Sequence, residues 1–220
     1  MSRIRLTPRL LAVLGLAAAL VWSASAVAST ALKFDLERLT FSSDRIVVGE
    51  VVEMESFRQD GRILTDTTLR IEETWKGDST ETLTIRQPGG RVGDVATRVQ
   101  GLANFQMGER SLLFLSDPGV DNHPWVISGL AQGKFRVTTG PDGETELAVP
   151  ELDGLQVMEP KAAGGADVRW SPDASMKELI QGGAAIRTSD PSDLHRRPHK
   201  LKDLKAAVRE MLDVENGEVQ

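Results

Sequence analysis

Three histidines, His123, His195 and His199, and no cysteine make up the chain's whole stock of imidazole and thiol chemistry. His195 and His199 are four apart, the spacing at which two imidazoles share a helix face and hold zinc. Here the intervening residues are Arg196, Arg197 and Pro198. The glutamate that serves as base in zinc proteases is missing, Pro198 disfavours helix at the residue before it, and adjacent guanidiniums repel a dication. Chance spacing in a basic linker is the preferred reading. His123 neighbours Pro124 and lies near Asp117 and Asp121, but that spacing matches no established metal site, and a solvated turn explains it. Acid pairs such as Asp35 with Glu37 or Glu72 with Glu73 read as solvated faces. No G-x-S-x-G elbow, phosphate loop or H-E-x-x-H occurs. The expectation is therefore no catalytic set, no metal and no cofactor. A hydrolase using His123, or Asp35, Asp66 and Asp94 gathered in one pocket, stands as the alternative.

Two stretches are better suited to binding than to catalysis. Pro88, Gly89, Gly90, Arg91, Val92, Gly93 and Asp94 open a connection that runs to Met107. Its glycines permit close backbone approach and positive φ, and its length is more than a compact domain carries without a reason. It is a candidate recognition loop across one end of the fold; a plain connector between layers is the competing reading. The second stretch is 199–214, where Leu201, Leu204, Val208, Met211 and Leu212 form one apolar stripe. A helix of this length is marginal alone, so the stripe needs a surface to dock on. That surface is this domain, a second copy or a partner groove.

The elements that position these stretches are mostly strands. Leu32, Leu36 and Leu39 suggest a short helix within 31–43. Residues 45–56 are rich in β-branched side chains, with Gly49 marking a bulge or bend. Gln59-Asp60-Gly61 is a turn, and 63–75 alternates with Ile63, Thr65, Thr67, Leu69 and Ile71 on one face. Residues 81–87 alternate again, and Ser111 to Leu115 is apolar throughout, as a strand covered on both faces is. Strands are also expected at 125–130, 134–138 and 146–149. Short strands with turns every 8 to 12 residues point to a mainly β fold, a small antiparallel Greek-key (OB-like) barrel. It carries a short N-terminal helix, and a C-terminal amphipathic helix follows a linker at 151–198 rich in Gly, Pro, Ala, Ser and Asp. A short helical piece is expected around 174–181.

The first 28 residues add an address. Arg3, Arg5 and Arg9 precede an uncharged apolar run, Leu10 to Val21, and small residues at 24–28 offer cleavage sites. The run is shorter than a bilayer span, so it reads as a signal peptide, and the protein as exported, periplasmic or secreted. The leader holds three of the 26 basic residues and none of the 32 acidic ones, so the remainder carries a net charge of −9. Such a chain is a poor partner for nucleic acid or an anionic membrane. Without cysteine it must be held by burial, not disulfides. The domains expected are 1–28 signal, 29–150 β domain, 151–198 linker and 199–214 helix.

Between Ser43 and Phe135 four phrases carry a resemblance: SDRIVVGEVVEME, TDTTLRIEETWKGD, MGERSLLFL and WVISGLAQGKF. They resemble the OB-type barrels of the netrin and tissue-inhibitor-of-metalloprotease group. There a long strand with a central glycine, a Lys-Gly turn and a Gly-Glu-Arg turn lead into a buried apolar strand. The chain also looks like a family of exported bacterial proteins associated with matrixin-type metalloproteases. The resemblance implies an OB-like fold and another exported protein, a metalloprotease, as partner. The inhibitors chelate zinc through an N-terminal cysteine; this chain has none, and that mechanism does not carry over. The function expected is a non-enzymatic binding module. A hydrolytic enzyme and a structural envelope component are the alternatives.

Overall fold

The structure is a computed structural model, and it describes residues 30–119, 124–152, 155–158 and 194–217. The leader, His123, Asp121, Trp170 and most of 151–198, with the helical piece expected near 174, lie outside those residues.

The fold is mainly β. Its strands are β1 (Thr30–Leu32), β2 (Arg45–Gln59), β3 (Arg62–Lys76), β4 (Thr82–Pro88), β5 (Gly90–Val92), β6 (Val95–Thr97), β7 (Arg110–Ser116) and β8 (Val126–Ile127). They continue with β9 (Lys134–Thr139), β10 (Glu146–Pro150), β11 (Gln156–Met158) and β12 (His199–Lys200). Two helices, α1 (Leu36–Ser42) and α2 (Leu201–Gly217), complete it. α1 starts later than the leucine spacing suggests, because Asp35 caps it by accepting the Arg38 N–H at 2.7 Å. Leu32 falls in β1 and is exposed instead of sharing the helix face. The expected strand at 125–130 shortens to β8, since the chain turns at Gly129 into a 3-10 turn at Leu130–Gly133.

The main sheet runs β12-β10-β9-β7-β2-β3-β4, with β8 attached to β7. β2, β3 and β4 are hairpin-linked, and β7 returns beside β2, which is a Greek key. Asp60 and Gly61, both at positive φ, make the two-residue turn that joins β2 to β3. The register shifts between Val48 and Gly49, and again between Val51 and Glu53. At Gly49 a Cβ would sit 2.8 Å from the Arg70 carbonyl, so the bulged strands approach there as only glycine allows. These bulges curl β2 and β3.

The expected barrel, closed or partly closed, is an open, curled sheet. β4 meets β8 through one bridge only, Ile85 with Trp125, made by Trp125 N–H to Thr84 O (2.9 Å) and Arg86 N–H to Trp125 O (3.1 Å). With two residues, β8 is too short to extend that contact into a ladder.

Both faces of β2 and β7 are covered. Inside the curl, Val47, Val51, Leu69, Leu83, Ile85, Leu113 and Leu115 form one core. On the outer face Ile46, Val48, Leu112, Phe114 and Phe135 pack against Leu39 of α1 and Leu201, Leu204 and Val208 of α2. This explains why 112–115 is apolar throughout: alternate residues enter different cores. α2 therefore docks on its own sheet, and Lys205 reinforces it by donating to Glu73 at 2.6 Å. Glu73 is held below the usual carboxylate range by Lys205 first and by the Trp75 indole N–H second.

Candidate functional site

β4 ends at Pro88, and the chain must return across the end of the curl to begin β7 at Arg110. The Greek-key return sets the length of this connection. It is not a loose loop. Gly90–Val92 and Val95–Thr97 pair as a hairpin, with Gly93 and Asp94 at its turn. The hairpin is clamped to the sheet: Gly89 N–H donates to Ile63 O at 2.9 Å, Thr65 Oγ1 donates to Gly89 O at 2.7 Å, and Ser56 and Thr65 hydroxyls bond each other at 2.8 Å. Gly90 lies so close that a Cβ would overlap Thr65 Oγ1 and Ser56 Oγ, and its φ is +120°. Here glycine is required twice over, by contact and by backbone conformation.

Under this hairpin is a cleft of about 150 Å³ between the curl and the returning connection. Thr65, Thr67 and Gln87 line it from the sheet, Thr97 and Arg98 from the hairpin end, and Phe105 from the segment before β7. Of the seven loop residues singled out in the sequence, Pro88, Gly89 and Gly90 line the cleft. Arg91, Val92, Gly93 and Asp94 form the outer hairpin and do not line it. Exposed apolar side chains lie along the segments that border it. Val52, Met54, Val95, Val99 and Met107 are five of the eight exposed large apolar side chains among the described residues, and all five belong to segments bordering the cleft.

The helix residues are placed differently. Leu201, Leu204 and Val208 are buried in the outer core, with Leu212 packed at its margin and Met211 half-buried. The stripe finds its surface within the chain, which leaves no free helix face for a partner groove.

Sequence reasoning missed a buried ion cluster beside the connection. Lys134, with no exposed side-chain surface, lies 2.6 Å from Glu109 and 2.9 Å from Glu151. Ser111 donates to Glu109 at 2.9 Å, Arg136 pairs with Glu151 at 2.8 Å, and the Lys134 ammonium sits 5.1 Å from the Phe105 ring. The cluster ties the start of β7, the start of β9 and the end of β10 to the connection. A lysine opening a strand carries no signal of burial in sequence. Thr67 was legible as a core-facing position with a polar side chain; Gln87, Arg98 and Phe105 gave no such signal.

The histidines have local duties. His195 stacks on Phe135 at 5.7 Å between ring centroids, and its Nε2 lies 2.8 Å from Phe34 O. Burial, with smaller effects from Lys33 and His199, pushes its pKa down; the Phe34 carbonyl and Asp35 oppose this. His199 Nε2 lies 3.1 Å from Leu194 O. Asp35 caps α1, Asp66 is paired bidentately with Arg86 at 2.6 and 2.7 Å, and Asp94 sits at the hairpin turn, so these three carboxylates occupy three separate places. Among the described residues no group of three His, Asp or Glu is arranged to hold a metal, and no helix is long and apolar enough to cross a membrane.

No protein-family model matches the chain, and no curated protein matches it, so a functional reading rests on its own residues.

Proposed function

We propose that this chain is an exported binding module that engages another exported protein through the mouth of its curled sheet. One observation carries the reading: exposed apolar side chains gather around an open cleft, on a connection fastened to the sheet. Exposed apolar side chains gathered on one face are a mark of protein contact surfaces. The clamp at Gly89 and Gly90 adds to this, because a preorganised hairpin loses little freedom on binding. The resemblance to the inhibitor group supplies the partner class, a metalloprotease. Without a cysteine, contact would be by the surface of the mouth and not by metal chelation.

The test uses single changes at exposed rim positions, Val95→Asp and Met107→Asp, in the tagged chain used for affinity capture from the exported fraction. Retention of a specific partner should fall at least tenfold in each variant while the thermal midpoint stays unchanged. A wild-type chain that retains no specific partner, or rim variants that retain it fully, would overturn the proposal.

A further inference from the structure

The cleft itself has a chemistry that the apolar rim does not explain. Arg98, Gln87 and Thr67 line it, and no described residue pairs with the Arg98 guanidinium. Each has at least one N–H or O–H donor to give. Thr67 is almost wholly buried and lies on the cleft wall. No Asp or Glu lines the cleft, although the chain has 32 of them and a net charge of −6. An acid-free cleft with an unpaired guanidinium and two further donors favours an acceptor-only, negatively charged guest.

Its size narrows the guest further. About 150 Å³ suits a single ring or one side chain, well short of the several hundred Å³ that usual small-molecule sites enclose. From these observations we infer that the cleft is a subsite for one carboxylate side chain, an Asp or Glu presented by the partner protein, with Arg98 as its ion-pairing group. Gln87 and Thr67 donate the remaining hydrogen bonds. Met54 and Phe105 contact the methylene stem of the entering side chain, and the rim carries the flanking residues. The inference rests on the binding-module reading and adds the charge of the residue recognised.

The test is a nuclear magnetic resonance titration of the full exported chain with four blocked pentapeptides, acetyl-Ala-Ala-X-Ala-Ala-amide, where X is Glu, Asp, Gln or Lys. An arm with free acetate separates a carboxylate on a peptide from any small anion. Shifts at Thr67, Gln87, Thr97 and Phe105 are expected with Glu or Asp, at least tenfold weaker with Gln and absent with Lys. Arg98→Gln, an exposed substitution, should remove them, and Arg98→Lys should retain part of the effect. Acetate should reproduce no more than a small part. Equal binding of Gln and Glu peptides, acetate binding as well as the peptides, or no change in Arg98→Gln would overturn the carboxylate subsite. None of these results touches the capture experiment with rim variants. A partner held by wild type and equally by Arg98→Gln leaves the binding module standing without this subsite.

Discussion

Replacing Lys134 with methionine tests how the connection is anchored. The substitution keeps an unbranched side chain in a fully enclosed place and removes only the charge. Glu151 is about a quarter exposed and keeps Arg136 at 2.8 Å, so it loses little. Glu109 is 8 % exposed and keeps only the Ser111 hydroxyl, so the cost falls there. Leaving one member of a buried pair uncompensated costs about 3–5 kcal/mol. In a domain of this size that corresponds to a fall of roughly 6–20 °C in thermal midpoint. Urea unfolding followed by circular dichroism measures it. The double variant Lys134→Met/Glu109→Gln removes both charges while the introduced amide oxygen still accepts from Ser111, and it should recover at least half of the loss. A single-variant effect below about 1 kcal/mol, or a double variant no better than the single, would refute the claim that charge compensation holds this junction.

Three further outcomes follow from the same geometry. Leu204→Ala, at a position 1 % exposed between α2 and the sheet, should cost about 2–5 kcal/mol in urea unfolding, as would be seen for a core leucine and not for an exposed one. Gly90→Ala should displace the hairpin from Ser56 and Thr65 and cost about 1–3 kcal/mol from backbone strain, read as faster amide exchange at residues 89–97; unchanged exchange would show that the clamp is not built on that contact. The pKa of His195 is lowered by burial, so below about pH 6.5 the unfolded chain takes up a proton that the folded chain refuses. The stability this group contributes is complete above that pH and falls as pH drops toward its folded value. His195→Phe should therefore flatten the urea midpoint between pH 7.5 and 5.5, and a slope unchanged by the substitution would count against the assignment.

Much of the sheet was legible because burial alternates with the pleat. Leu69 and Ile71 enter the inner core, Thr65 and Thr67 line the cleft beside it, and 111–115 is covered on both faces as the apolar run at 112–115 implies. Turn chemistry was equally readable: Asp60-Gly61 and Gly77 lie at the positive φ their types allow. The stripe on α2 was legible as a face that needs cover, but it was offered as a partner-binding helix, and its target, the bare outer faces of β2, β7 and β9, is set only in the fold. Closure of the sheet depends on how far β8 extends, and two residues against the six expected at 125–130 cannot be told from composition. N-terminal helix limits were misjudged because Leu32 fits a helical stripe, while Gln132, far away in sequence, draws that segment out by accepting from Phe34 N–H at 2.8 Å and donating to Leu32 O at 2.9 Å. The cleft was half legible. Its glycines announced close approach, but Thr67, Gln87 and Arg98 come from three separate segments and meet only in the fold.

Site-directed photo-crosslinking in the producing cell tests the proposed binding surface most directly. A photoreactive residue placed at Val95 or Met107 on the rim is compared with one at Lys202, exposed on α2 away from the mouth. Adducts with one and the same protein from both rim positions, and none from position 202, are the expected result. No adduct from the rim, or the same adduct from all three positions, would contradict a binding surface at the mouth of the sheet.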